Sequence, residues 1–196
     1  MAKGEFVMRH AGTKTITTNR LTLRKIEISD AEMMFQNWAS DDECSRYMRW
    51  NTHKDVDETK NTIQDWFDGY KKESTYHWGI CLKNGEIIGS VGVMIISEHD
   101  FKGEIGYCIG RKYWGQGYTS EVVKAVLDYM FTNTDIERIE AYHSVENAAS
   151  GKVMANAGMT LEGFAKHKYR NRDGFQDCEF YGIIRDEWES VRKDVQ

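Results

Sequence analysis

The chain has 196 residues, of which 40% are hydrophobic and 29% charged, and its 26 basic and 31 acidic side chains leave a formal net charge of −5. That length supports one domain with a full core, and the charge balance excludes a polyelectrolyte-binding surface, so nucleic acid is not expected as a main partner. No apolar run reaches the roughly 18 residues needed to cross a bilayer, which excludes a membrane-spanning helix.

Proline is absent, so element boundaries are read from Gly, Asn and Asp. Residues 1–14, MAKGEFVMRHAGTK, read as a loose leader without the apolar core of a signal peptide, followed by one domain over 15–196; a cytoplasmic location follows. "TITTNRLTLRKI" alternates Leu21 and Leu23 with polar neighbours as a half-buried strand does, and Ser29-Asp30 offers an N-cap for a helix to about Ala39. The polar stretch 41–54 reads as a loop. After it, Val56, Ile63, Trp66, Phe67 and Tyr70 recur near helical spacing.

Three apolar runs come next, "YHWGICL", "EIIGSVGVMII" and "EIGYCI", and the Asn84-Gly85 pair between the first two predicts a hairpin with a type I′ turn. Val122, Val123, Val126, Leu127, Met130 and Phe131 then mark an amphipathic helix. "RIEAYHSV" reads as a strand, "NAASGKVMANAG" as a short helix stopped at Gly158, "MTLEGFAKHKY" and "FQDCEFYGII" as strands joined at "NRDG", and "RDEWESVRK" as a last helix. The order predicts an α/β (α+β) layered fold, a mixed and mostly antiparallel sheet of about seven strands with helices on both faces.

Cys44, Cys81, Cys108 and Cys178 are widely spaced, form no C-x-x-C pair, and read as buried thiols; no metal site is expected. His77 and His143 alternate with apolar neighbours and lack companions at ligand spacing, so they read as packing or cleft lining.

The stretch "RKYWGQGYTSE" carries most of the chemistry. Gly115 and Gly117 leave the main chain bare where a strand hands over to a helix, and the first turn of a helix has unpaired NH groups reinforced by the helix dipole. Such a turn can cradle an anion, although the same glycines could merely tighten a connection. The pattern is not a P-loop, since no Gly-Lys-Ser/Thr follows, nor a dinucleotide fingerprint, since Ser120 stands where the third glycine belongs.

"KYWGQGYTSEVV" resembles motif A of the GNAT N-acetyltransferases, with Lys112, Gly115 and Gly117 on the Q/R-x-x-G-x-G/A pattern and Lys112 as the departure from it. Together with "NAAS", "AGM", "EG" and "EW" downstream, it is similar to the branch that contains the ribosomal-protein N-terminal acetyltransferases, over about Thr15 to Trp188. The resemblance implies acetyl-CoA as cosubstrate, its pyrophosphate on the backbone from Trp114 through Gln116, Tyr118 and Thr119. It also implies a strand Ile105–Ile109 that splays from 138–145 and leaves edge amides for the pantetheine arm. Tyr107, Cys108, Ile109, Lys112, Asn147, Ser150 and Asn156 join the expected cofactor contacts.

Acetyl transfer to an amine needs a base for the ammonium, a donor for the oxyanion and an acid for the departing thiolate. Glu104, at the start of "EIGYCI", is the expected base. A backbone NH near Tyr107 or Cys108 would serve the oxyanion, and Ser150, three residues after Asn147, the thiolate. Tyr47, Trp50, His77 and Tyr107, with Met48 and Arg49, are the expected liners of the acceptor side. A protein N-terminus, a polyamine or aminoglycoside-like amine, and a peptide antibiotic amine all fit, and a homodimer through an exposed strand or the last helix is compatible. A noncatalytic CoA-binding sensor is the rival reading.

Overall fold

The computed structural model describes residues 7–193. Its strands are β1 (Ile16–Thr17), β2 (Leu21–Arg24), β3 (Tyr76–Leu82), β4 (Ile87–Ser97), β5 (Lys102–Ile109), β6 (Arg138–Ser144), β7 (Thr160–Asn171) and β8 (Gly174–Ile184). They form one sheet in the order β1-β2-β3-β4-β5-β6-β8-β7. Every neighbouring pair is antiparallel except β5 and β6. The sheet has eight strands rather than about seven because the first apolar run folds back at Thr18, whose amide donates to the Leu21 carbonyl, and pairs with itself.

Helices cover both faces. On one lie α4 (Tyr118–Asn133) and α5 (Ala148–Asn156), whose Val122, Val126, Met130 and Met154 join Leu21, Trp78, Ile105 and Ile139 in the larger core. On the other lie α1 (Ala31–Met34), continued by a wider turn through Phe35–Ala39, and α3 (Val56–Gly69); Met34, Trp38 and Ile63 pack there against Cys81, Ile87 and Cys108. The helix α6 (Arg185–Lys193) ends the described chain. None of the described helices is long and apolar enough to cross a membrane.

Four local expectations change. The 41–54 loop contains a helical turn, α2 (Asp42–Ser45), capped by the Asp41 side chain on the Glu43 amide. Ser29 and Asp30 lie inside a 3-10 turn, Ile28–Asp30, that precedes α1; the Asp30 carboxylate turns back to accept from the Glu27 amide at 2.8 Å. The β3–β4 turn is not type I′: Gly85 alone has positive φ, at 89°, so Lys83-Asn84-Gly85 closes as a three-residue loop, with the Gly85 amide on the Leu82 carbonyl. Within the leader, Met1–Phe6 lies outside the described residues. Residues 7–14 have no regular structure but are docked: Met8 is buried, Thr13 Oγ1 donates to the Thr75 carbonyl, and Tyr129 Oη donates to the Gly12 carbonyl at 2.7 Å.

All four cysteines are free and buried. Burial pushes the Cys44 and Cys178 thiols up to about 11 and Cys108 further, which keeps them protonated and unreactive at neutral pH.

Candidate active site

The site begins where the sheet forks. β5 and β6 pair only through Lys102–Arg138, Gly103–Ile139 and Glu104–Glu140, although β5 runs on to Ile109 and β6 to Ser144. Beyond Glu104 each strand stays with its outer partner, β5 with β4 as far as Ile109 opposite Gly89, and β6 with β8 as far as Ser144 opposite Cys178. Alternation of the antiparallel ladder then decides which amides are spare. The Gly110 amide donates to the Ile88 carbonyl, so in the same register Cys108, Gly106 and Glu104 spend their backbone groups on β4. Ile105, Tyr107 and Ile109 turn theirs toward the fork.

That geometry corrects one expectation. Cys108 faces away from the fork, its backbone directed at β4 and its side chain buried against α1 and α3, so it is not placed to touch a cofactor there. Of the two expected oxyanion donors, Tyr107 is the one whose NH faces the cleft.

At the open end of the fork lies the glycine cradle. A 3-10 turn, Arg111–Tyr113, leads from β5 into it, and Gly115 and Gly117 have φ of 72° and 75°, values that disfavour any side chain. The Trp114 amide is spent on the Arg111 carbonyl, so the cradle starts one residue later than expected. Among the described residues, none accepts from the amides of Gly115, Gln116, Gly117, Tyr118, Thr119 or Ser120. Gly117 is the N-cap of α4 and brings no side chain to satisfy them, so six unpaired amides stand at the positive end of the helix dipole. Such a cradle fits a pyrophosphate. Lys112 is exposed, with Nζ 3.6 Å from the Glu86 carboxylate, and Trp114 is exposed with Nε1 donating to the Ile109 carbonyl.

Arg20 was not legible as part of this region. Its guanidinium donates to the Gln116 carbonyl at 2.8 Å and to Glu121 at 2.6 Å, and lies over the Tyr118 ring, which ties the β1–β2 turn to the first turn of α4. No periodicity connects residues 96 apart in the chain. Gly117→Val is expected to raise the KM for acetyl-CoA at least about tenfold, through lost donor geometry worth about 1–2 kcal/mol in a left-handed conformation, with folding retained by circular dichroism.

The floor of the fork is a cleft of about 240 Å³ lined by Tyr47, Arg49, Glu104, Tyr107, Tyr142, Asn147, Ser150 and Tyr169 among others. Tyr107 and Ser150 meet there: Tyr107 Oη lies 2.9 Å from Ser150 Oγ and donates to the Ser150 carbonyl at 3.1 Å. Burial pushes the Tyr107 phenol well above its ordinary range, so it holds its proton at all physiological pH. Asn147 caps α5 through its side-chain oxygen, which accepts from the Ser150 amide, and so fixes the serine. Asn156, exposed at the far end of α5, lines neither this cleft nor the larger cavity described next.

A second cavity, of about 810 Å³, opens on the α1–α3 face of β3, β4 and β5. Trp38, Met48, Trp50, Trp66, His77 and Met94 wall it. Glu104, Gly106 and Tyr107 belong to both spaces, so they stand at their junction. The expected acceptor liners therefore divide: Trp50 and His77 face the large cavity, Tyr47 the fork, and Tyr107 both. Glu104 is half-buried, and burial raises its pKa against the opposing pull of Lys168, Arg49 and Lys102. Its cross-strand neighbour Glu140 is held by Lys102 at 2.7 Å and by Arg138, which leaves Glu104 as the carboxylate free to exchange a proton. Tyr142 and Tyr169, with Arg49 within 6 Å of both ring centres, were not singled out from the sequence.

Comparison with known proteins agrees with this geometry. The family model described as "Acetyltransferase (GNAT) domain" matches residues 20–160. An uncharacterized N-acetyltransferase p20 of Bacillus licheniformis is 33% identical over 89% of this chain and 98% of its own. The [ribosomal protein uS5]-alanine N-acetyltransferase of Escherichia coli is 28% identical over 77% of this chain and 80% of its own. Among solved structures, a ribosomal L7/L12 alpha-N-protein acetyltransferase in complex with coenzyme A superposes with a TM-score of 0.80 at 22% identity, over 89% of this chain and 99% of that one.

The forked sheet with its amide cradle defines a transferase of the acetyl-transferring class. More narrowly, the chain belongs to the GNAT acetyltransferase family, with ribosomal-protein N-acetyltransferases among its homologues.

Proposed function

We propose that this protein transfers the acetyl group of acetyl-CoA to a primary amine by direct attack in a ternary complex, with Glu104 as base. The observation that carries the reading is the parting of β5 from β6, which sets a spare strand edge between six unpartnered amides and a half-buried carboxylate shared by two cavities. That a structural neighbour holds coenzyme A on the same fold supports acetyl-CoA as the cosubstrate.

The amides of Gly115 to Ser120 take the pyrophosphate, and the fork-facing groups of Ile105, the Tyr107 carbonyl and the Ile109 amide pair with the pantetheine arm, the Ile109 carbonyl being already held by Trp114 Nε1. Glu104 removes a proton from the ammonium, directly or through one water, and the neutral nitrogen forms the new C–N bond. The Tyr107 amide faces the oxygen that becomes negative. As the C–S bond breaks, the Ser150 hydroxyl protonates the thiolate, and the second proton, lost by the nitrogen as the amide forms, returns to the hydrogen-bonded Ser150–Tyr107 pair, so that of the acceptor's two protons one ends on Glu104 and one is made good on the thiol.

The test is release of thiol from acetyl-CoA across an amine panel, with Glu104→Gln and Ser150→Ala beside the parent. Coenzyme A binding without turnover on any amine would instead make the protein a sensor. Because Tyr107 and Ser150 act as one unit, Tyr107→Phe and Ser150→Ala should each lower kcat by roughly 10–100-fold and the double variant little further, a non-additivity read directly from the kinetics. The surface suited to self-association is β7, an outer strand paired on one side that exposes Leu161 and Phe164; a cytoplasmic location agrees with four free buried thiols.

A further inference from the structure

The two cavities differ in charge, and the larger one selects its occupant. Among its lining residues there is no lysine or arginine; the charged groups are the carboxylates of Glu98 and Glu104. The cations that act on Glu104 stand elsewhere, Arg49 in the fork and Lys168 and Lys102 outside the large cavity's lining. His77 adds no positive charge: burial lowers its pKa to about 4, so its ring is neutral where the enzyme works, lying against Trp66 with 4.1 Å between ring centroids. His53 is likewise shifted down by burial. His10 bonds the Glu98 carboxylate at 3.0 Å, which leaves Glu104 as the unpaired acid of the wall.

The rest of the lining is mainly aromatic and thioether, with Trp38, Trp50, Trp66, Met34, Met48 and Met94, interrupted by neutral hydroxyls such as Thr62, Ser74 and Ser90. β3 and β4, which floor the cavity together with β5, are each paired on both sides, and the free edge of β5 is the one assigned to the pantetheine arm, which leaves no strand edge for a peptide main chain. A volume of about 810 Å³ accommodates a small molecule with one or two rings.

Resting on the acetyl-transfer reading above, the geometry points to a small arylalkyl primary amine as the acceptor, its ring between Trp50 and Trp66, its ammonium on Glu104, and no carboxylate or phosphate of its own. Rings in such a box gain from offset and edge contacts with indoles, and the ammonium meets a carboxylate and aromatic faces. An anionic substituent would be desolvated beside Glu98 and Glu104 with no cation to meet it. A polyamine would find only one further carboxylate, Glu98, already held by His10, and would place its remaining ammonium among indoles and thioethers; a peptide N-terminus would bring a row of amides to a wall whose polar groups are scattered hydroxyls.

The experiment uses the full chain, acetyl-CoA, and five acceptors: 2-phenylethylamine, tryptamine, phenylalanine, spermidine, and a short alanine-initiated peptide. Thiol release and product mass are recorded, with binding of coenzyme A measured separately by calorimetry. The expected result is kcat/KM for the two arylalkylamines roughly 100-fold or more above that for phenylalanine, spermidine and the peptide. Trp66→Ala should raise the arylalkylamine KM about tenfold, and Trp66→Phe should restore it, both with coenzyme A affinity unchanged. Preference for the peptide, spermidine or phenylalanine overturns the inference and leaves acetyl transfer standing. An undiminished arylalkylamine KM in Trp66→Ala overturns the placement of the ring. Bound coenzyme A with no turnover on any amine overturns the acetyl-transfer reading itself, and this inference with it.

Discussion

Glu104→Gln should lower kcat/KM by about 10²–10⁴-fold while leaving the protein at least as stable as the parent at pH 7. The two outcomes have one cause. Burial raises the Glu104 pKa above its unfolded value, so the folded protein holds the ionised carboxylate at a cost that is absent below the unfolded pKa and grows as pH rises through the folded one. Glutamine keeps the shape and removes that cost at neutral pH; its stability advantage should vanish as the pH falls toward about 4, where the parent carboxyl is protonated in both states. In the parent, the acid limb of kcat/KM should lie above the ordinary glutamate range, because the base must be ionised to act. Thermal melts at pH 4 and 7 beside a pH–rate profile read both. A Glu104→Gln variant with parental kcat/KM would remove the base from the mechanism.

Two glycines near the same strand should separate folding from chemistry. A Cβ at Gly89 would lie 2.3 Å from the Cys108 carbonyl oxygen and 2.9 Å from the Ile109 Cα, both backbone atoms of β5 that cannot step aside. Gly89→Ala should therefore cost about 3 kcal/mol or more, a fall in Tm of about 6 °C or more for a domain of this size. A Cβ at Gly106 would meet nothing within 4 Å, because Gly106 faces the opening between the two cavities. Gly106→Val should leave stability within about 0.5 kcal/mol and yet lower kcat/KM by roughly 100-fold, since the branched side chain fills the space through which amine and thioester meet. Comparable losses of Tm in both variants would show that the opening plays no such part.

Much of the fold was legible because it is written in short-range pattern. Two-residue alternation marks β2, an apolar run ending at a turn marks β3, three-to-four-residue spacing marks α3 and α4, and Arg185–Lys193 appears as the helix read from "RDEWESVRK". The misreadings are equally local. Asn84-Gly85 carries the residues of a type I′ turn, but the strand register settled on a loop with one left-handed residue, and Asp41 caps a helical turn too short to show a period. The Trp114 amide was expected in the cradle, and the 3-10 turn at Arg111 consumes it.

By itself the sequence determined which backbone is bare at the mouth of α4, that Glu104 heads the apolar run of β5, and that Asn147 and Ser150 share the first turn of α5, because residue identity and spacing over a few positions fix each of these; the strand itself begins two residues earlier, at Lys102. Only the tertiary structure decided that β5 and β6 part after Glu104, that Cys108 faces away, that Tyr107 meets Ser150 across 43 residues, and that the expected acceptor liners divide between two cavities. Those facts depend on strand order and on which side of each strand spends its hydrogen bonds, and both are settled when distant segments pack, a step that no local pattern encodes.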